Sequence, residues 1–126
     1  MTKLYSIKVD SPFSAAHNLR GYCGKCEKLH GHNWQVEVEL AAEKLNSLAM
    51  VCDFKDIKKQ LAKVLQKLDH QMLNKLPYFK KNNPTSEKIA EFIFYELKQA
   101  IKAKGIMLKL VRVWETASSS ATFSEK

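Results

Sequence analysis

The sequence contains no long hydrophobic run and no segment that resembles a leader peptide. Its uninterrupted apolar stretches are only a few residues long, whereas a membrane-spanning helix needs roughly 20. The first residues, Met1 to Leu4, lack the apolar stretch and the small-residue cleavage site of a signal peptide. We therefore expect a cytoplasmic protein with no membrane segment.

Cysteine is scarce, with three residues in a chain of 126. An odd, low count in a cytoplasmic protein argues against a disulfide framework. We expect Cys52 to be a small buried hydrophobic residue and Cys23 to be an exposed loop residue. Linkers, internal repeats and low-complexity segments are missing as well. The chain is therefore expected to form one domain, residues 1–126, which is long enough to bury a core.

The chain is basic but has no basic tract. Its net charge of +8 arises from 21 basic and 13 acidic residues. The basic residues are spread along the sequence, and many lie on the polar sides of predicted helices. This distribution favours a solvated surface that also attracts an anionic small molecule, and it argues against a nucleic-acid footprint.

Alternating polarity predicts two long strands in the first third of the chain. One covers residues 4–17 and the other residues 30–40, and the polar residues 18–28 join them into a hairpin. One face of the second strand is lined by His30, His32, Trp34, Val36, Val38 and Leu40. Both histidines should therefore point into the protein.

Helical spacing then predicts two helices. Asp53 caps the first, which runs to about Leu68, and Thr85 or Ser86 caps the second, which Gly105 ends. The intervening residues 71–84 are expected to be irregular.

Two further strands are predicted over residues 106–115 and about 119–123. The order ββααββ predicts an α+β fold, with a four-stranded antiparallel sheet and two helices on one face. Its other face and its edges are uncovered, which favours an oligomer, for example by closure of the sheets into a ring.

Three histidines have the spacing of an open zinc site. His30 and His32 lie two apart in a strand and so point to one face, and His17 in the neighbouring strand completes the set. Three protein ligands leave one tetrahedral position free for water or substrate, as in catalytic sites. The alternatives are ordinary buried histidines, or a structural knuckle that uses Cys23 and Cys26. The knuckle is less favoured because its histidines are unusually close and His17 has no role in it.

Other candidates depend on that site. If three histidines bind the metal, Cys26 is free, and a nearby cation and lysines would favour its thiolate as base or nucleophile. Asp69 could orient His70 for proton transfer, although the pair alone also suits a helix end. Glu115 ends a strand and could pair with a ring N–H and an amino group of a heterocycle. An exposed polar strand end would explain Glu115 equally well.

Six motifs together resemble one enzyme family. They are F-S-A-A-H (13–17), C-E-K-L-H-G-H (26–32), V-C-D-F (51–54), L-D-H-x-x-L-N (68–74), N-P-T-S-E (83–87) and W-E-T (114–116). In this order, over nearly the whole chain, they are similar to the 6-pyruvoyl-tetrahydropterin synthase and 6-carboxy-tetrahydropterin synthase family. The resemblance implies the tunnelling fold, in which ββααββ subunits form trimeric barrels that pair into a homohexamer.

The resemblance also implies roles for particular residues. It implies Zn²⁺ on the three histidines, Cys26 as the proton-abstracting base, and Asp69 with His70 as a proton relay. It implies that Glu115 anchors the guanidine-like edge of a pterin. Three further residues would lie near the pocket: Thr85, Ser86 and Glu87. The implied substrate is 7,8-dihydroneopterin triphosphate, whose side chain is oxidised while its ring is reduced, so that no external redox cofactor is needed.

The branch of the family depends on the first loop. The short interval between His17 and Cys26 resembles the bacterial 6-carboxy-tetrahydropterin synthases of queuosine biosynthesis, which release acetaldehyde and triphosphate. Glu27 is a departure, because some relatives use a glutamate near this position to make 6-hydroxymethyl-dihydropterin for folate. Glu27 is thus a candidate substrate contact or a surface residue. A 6-pyruvoyl product and, in another class, a zinc-stabilised RNA-binding module are the further alternatives.

Overall fold

The fold is one sheet with helices on a single side. A computed structural model describes residues 3–24 and 27–126. Its strands are β1 (Tyr5–His17), β2 (His30–Ala42), β3 (Gln71–Met72), β4 (Met107–Thr116) and β5 (Ser119–Phe123). The helices are α1 (Phe54–Leu65), α2 (Pro77–Lys81) and α3 (Ser86–Ala100), with single 3₁₀ turns at Tyr22–Gly24 and Leu73–Lys75. The predicted α+β class is confirmed.

The predicted hairpin is the centre of the sheet. β1 and β2 pair antiparallel along their full length, from Tyr5 opposite Ala42 to His17 opposite His30. The spatial order is β3-β1-β2-β4-β5, and β3 pairs parallel to β1 whereas the other neighbours are antiparallel.

The core lies between the sheet and the helices α1 and α3. Its largest part is contributed by Trp34, Val36, Val38, Val111, Val113, Ile57, Leu61, Ile89, Ile93 and Leu97, all 3% exposed or less. Burial of each such side chain stabilises the fold by about 1.5–3 kcal/mol at most. The opposite face of the sheet is polar; there Glu37 accepts a 2.9 Å hydrogen bond from Trp114 Nε1.

The predicted helix starts are confirmed. Asp53 accepts a hydrogen bond from the backbone N–H of Lys55 at 2.9 Å, and Thr85 rather than Ser86 accepts one from Lys88 at 3.1 Å. These caps pair backbone donors that have no partner within the helix.

Both predicted helix ends are wrong. α1 stops at Leu65, and the chain continues in tight turns that still bury Leu68. α3 stops at Ala100 because Ile101 adopts an extended conformation and packs against the core. Gly105, with φ of 82°, instead shapes the turn that leads into β4.

The predicted strand count is also wrong, because the sheet has a fifth strand. Residues 71–84 were expected to be irregular, yet they contain β3, which pairs with Ala15 and Ala16, and the short helix α2. A strand of two residues has no alternation to detect. No helix within the described residues is both long and apolar enough to span a bilayer.

Candidate metal centre

Three imidazoles converge at one end of the central hairpin. His17 and His30 are cross-strand partners, and His32 lies two residues further along β2. One ring nitrogen from each lies within 4.8 Å of the others. Exposure rises from 1% for the His17 side chain through 19% for His32 to 36% for His30. The cluster is therefore deep at one side and open to solvent at the other.

Backbone carbonyls orient two of the rings. His17 Nδ1 donates to the carbonyl of Pro84 at 2.7 Å, and His30 Nδ1 donates to that of Lys28 at 2.9 Å. A ring that donates through Nδ1 keeps a lone pair on Nε2. Such carbonyl contacts are the usual means of fixing metal-binding histidines. The fully buried Trp34 packs edge-on against His17 and His32, with ring centroids 4.9 and 5.1 Å away.

A carboxylate faces the histidines from β4. Glu115 Oε1 is 3.6 Å from His32 Nε2, and Glu115 Oε2 is 3.9 Å from His17 Nε2. Both Nε2 atoms are buried, and neither has a hydrogen-bond partner among residues 3–24 and 27–126. Burial lowers the pKa of His17, which disfavours its protonation. Lone pairs that face a carboxylate across this gap fit a divalent cation, because a cation is attracted to both groups.

Among the described residues, the candidate donor set consists of three imidazoles. Within the part of the chain that the structure describes, the only group able to hold a metal ion is His17, His30 and His32. Cys23, a thiol of the alternative knuckle, is exposed as expected. Cys26, the candidate base, lies outside the described residues. Cys52 is half-buried and packs against the core.

The start of α3 reaches the same site. Ser86 Oγ donates a hydrogen bond to Glu115 Oε2 at 3.4 Å and so links the helix to the carboxylate. Thr85 is used as the helix cap. Glu87 is exposed in the first turn of α3, where the helix dipole favours its charge.

Asp69 and His70 contact each other beside this cluster. Asp69 Oδ2 lies 3.0 Å from His70 Nδ1, and Asp69 Oδ1 accepts from the backbone N–H of Ser14 at 2.8 Å. These contacts, first that of Ser14, lower the pKa of Asp69. His70 adopts φ of 57° and its side chain is 82% exposed. His70 and His32 line a common open groove.

Glu27 is held by the loop itself. Its Oε1 accepts from the backbone N–H of Leu19 at 3.2 Å and lies 3.8 Å from His30 Nδ1. The carboxylate thus contacts the loop and borders a histidine of the cluster.

Sequence reasoning missed two groups that support the cluster. The carbonyl of Pro84 holds the His17 ring, and Trp34 packs against two of the rings. No side-chain pattern reveals a carbonyl contact across 67 residues of sequence. Trp34 shares the alternation of His30 and His32, but that signal does not distinguish a ring beside the site from ordinary core.

Comparisons with known proteins agree on one family. The model of the 6-pyruvoyl tetrahydropterin synthase family matches residues 6–126. The 6-carboxy-5,6,7,8-tetrahydropterin synthase of Haemophilus influenzae is 32% identical over 97% of this chain and 100% of its own length. That of Synechocystis is 36% identical over 95% of this chain and 93% of its own length. The structure of Caenorhabditis elegans 6-pyruvoyl tetrahydropterin synthase superposes with a TM-score of 0.87, at 29% identity, over 99% of this chain and 98% of that one.

The chain belongs to the 6-pyruvoyl tetrahydropterin synthase family. The family model covers nearly the whole sequence, and the relatives align over almost their full lengths. The tunnelling fold implied by the sequence motifs is confirmed for the subunit.

Proposed function

We propose that the protein is a zinc-dependent 6-carboxy-5,6,7,8-tetrahydropterin synthase. With water as co-reactant, it converts 7,8-dihydroneopterin triphosphate into 6-carboxy-tetrahydropterin, acetaldehyde and triphosphate, a step of queuosine biosynthesis. The observation that carries the proposal is the convergence of three imidazoles on one side of Glu115, where the buried Nε2 atoms of His17 and His32 have no hydrogen-bond partner within the described part of the chain. Relatives that carry this enzyme's name support the choice of branch.

Zn²⁺ is the expected ion, because three histidines with an open fourth position are typical of catalytic zinc. A zinc ion held there would polarise substrate oxygens and so acidify a neighbouring C–H bond. Cys26 is proposed to remove that proton as a thiolate.

Asp69 and His70 are proposed to exchange protons with the substrate hydroxyls. The 3.0 Å contact between them orients the imidazole, and the exposure of His70 leaves it accessible to a bound molecule. Since the pKa of Asp69 is lowered, the carboxylate stays ionised and can stabilise a protonated His70.

Glu115 is proposed to anchor the pterin, because its two carboxylate oxygens can accept hydrogen bonds from the ring N–H and from the amino group. Its contact with Ser86 and the position of Thr85 at the start of α3 support substrate contacts by this segment, including Glu87. Glu27 is proposed as a further contact at the mouth of the site. The net charge of +8 favours entry of a triphosphate substrate.

A homohexamer made of two trimers is proposed as the working assembly. One face of the sheet carries no helix within the described residues, and the strand at each edge has open backbone groups that a second subunit could pair. No nucleic-acid or membrane partner is proposed, and the proposed compartment is the cytoplasm.

Product analysis tests the proposed reaction. Purified protein loaded with Zn²⁺ is incubated with 7,8-dihydroneopterin triphosphate, and the products are identified by mass. A carboxylated tetrahydropterin with acetaldehyde is the expected result. A hydroxymethyl-dihydropterin would assign the protein to the folate-type lyases, and a pyruvoyl product to the third branch. An unchanged substrate would contradict all three.

Metal removal separates an enzyme from a zinc-stabilised RNA-binding module. Because most of the core lies between the sheet and the helices α1 and α3, the metal-free protein should stay folded but be inactive. A structural zinc module would unfold when stripped, because its binding energy is folding energy. Circular dichroism before and after chelation distinguishes the two.

A further inference from the structure

Two asparagine side chains extend β1 beyond its last residue. Asn74 Oδ1 accepts from the backbone N–H of Asn18 at 3.0 Å, and Asn74 Nδ2 donates to the carbonyl of Asn18 at 2.8 Å. Asn83 contacts Arg20 in the same way, at 2.8 and 3.1 Å. Each amide thus forms the reciprocal pair of bonds that a neighbouring strand would otherwise provide.

Glu27 occupies the other edge of this short segment. Its backbone N–H donates to the carbonyl of Leu19 at 2.9 Å, and its Oε1 accepts from the N–H of Leu19 at 3.2 Å. Its carbonyl accepts from Asn18 Nδ2 at 3.0 Å. Residues 18 and 20 pair with the two asparagines and residue 19 pairs with Glu27, so all the backbone polar groups of these half-buried residues have partners.

This segment is joined directly to the metal cluster. Asn18 follows His17 in the chain, and Asn83 precedes Pro84, whose carbonyl holds the His17 ring. Asn83 therefore fixes the distance between the segment that follows His17 and the segment that contains Pro84.

The other end of the loop between β1 and β2 contacts a second histidine of the cluster. Glu27 is followed by Lys28, whose carbonyl holds the His30 ring. The same hydrogen-bond network thus connects to the carbonyls that orient two of the three imidazoles.

We propose that Asn74 and Asn83 are positioning residues of the metal site. By holding residues 18–20 in place, they keep His17 and the Pro84 carbonyl in register and so preorganise the three imidazoles. This inference uses the metal-binding part of the proposed function but not its substrate. Asparagine suits the task because its amide donates and accepts in one plane, which neither alanine nor aspartate can do.

Zinc affinity is the first readout. The dissociation constant for Zn²⁺ is measured by competition with a chromophoric chelator for the wild type, Asn74→Ala, Asn83→Ala and Asn83→Asp. Loss of groups that orient ligands weakens metal binding by about 10–100-fold, and we expect at least the lower value. Asn82→Ala is the matched control, because among the described residues the Asn82 side chain hydrogen-bonds only to the carbonyl of Tyr78 in α2; the Zn²⁺ affinity of this variant should be unchanged.

A metal-independent readout separates this inference from the proposed function. In metal-free protein, the Nδ1–H of His17 is buried and hydrogen-bonded, so its NMR signal should exchange slowly with water. We expect faster exchange in the Asn74 and Asn83 variants and no change in Asn82→Ala. If the wild type binds no Zn²⁺ but these exchange rates change as expected, the metal proposal fails and the positioning role stands.

The opposite result overturns the inference. Wild-type Zn²⁺ affinity and wild-type exchange of His17 in both alanine variants would show that the asparagines only close a loop. Should an alanine variant not fold, Asn83→Asp decides the matter, since it keeps the size and the acceptor but loses the donor to Arg20.

Discussion

The two ends of β2 differ in chemistry, although their inward-pointing side chains follow the same strand alternation. Along β2, Trp34, Val36, Val38 and Leu40 are at most 1% exposed and pack beneath the helices. At the other end of the same face, His30 and His32 join His17 in a cluster that opens to solvent. Strand alternation brings both sets to the same side. It determines which way a side chain points, but not what surrounds it.

The two ends differ in whether burial of their side chains is favourable. Burial of the aliphatic side chains stabilises the fold, whereas burial of His17 is unfavourable unless its polar atoms are paired. The carbonyl of Pro84 accepts a hydrogen bond from one ring nitrogen, and the other nitrogen faces the carboxylate of Glu115. We therefore expect substitutions in the aliphatic end to change stability, and those in the histidine end to change metal binding.

Removal of a metal ligand should have the largest effect. His30→Ala is expected to lose the metal and all activity but to keep its fold, because this side chain is the most exposed of the three. Metal analysis after gel filtration, with circular dichroism as the fold control, measures both. Full zinc occupancy in this variant would refute the ligand assignment.

The candidate base should affect turnover alone. Cys26→Ala is expected to retain zinc and fold but to lose turnover by about 10²–10⁴-fold, the usual contribution of a general base. Cys23→Ala is the matched control, because this exposed thiol belongs to the same loop and is expected to be inert. Wild-type turnover in Cys26→Ala would remove this residue from the mechanism.

A substitution in the aliphatic end should behave in the opposite way. Leu97 is fully buried on α3, and Leu97→Ala is expected to lower the free energy of unfolding by about 2–5 kcal/mol. Zinc stoichiometry should stay at the wild-type value while the protein is folded. Gln99→Ala, two residues along on the exposed side, is the control. Loss of zinc from folded Leu97→Ala would show that the two ends are not separable.

The smallest effect concerns the pH dependence of stability. The pKa of Asp69 is lowered in the fold, first by the N–H of Ser14 and then by His70. Its ionised form therefore contributes stability above its ordinary pKa of 3.8, and this contribution is lost as the pH falls through the lower folded value. Denaturant unfolding of wild type and Asp69→Asn from pH 6 to pH 2 measures it. The wild-type advantage should shrink on acidification; an advantage that grows would contradict this assignment.

Local patterns predicted the parts of the molecule that depend on local physics. The alternation of β2 placed His30 and His32 on the inner face, and Asp53 and Thr85 are helix caps as their side-chain chemistry favours. His17 joins the cluster because it ends β1 directly opposite His30, the first residue of β2.

Contacts between distant segments were not predictable. β3 forms because residues 71 and 72 meet β1, and α3 ends at Ala100 because Ile101 packs in the core. The position of Glu115 against His17 and His32 depends on how β4 registers with β2, and Glu115 itself lies at an irregularity in the pairing of β4 with β5.

X-ray absorption spectroscopy of the zinc-loaded protein tests the central claim most directly. The account predicts three imidazole nitrogens at about 2.0–2.1 Å with a further oxygen ligand and no sulfur. Zinc–sulfur distances of about 2.3 Å would show that loop thiols bind the metal, and the open three-histidine site would then be wrong.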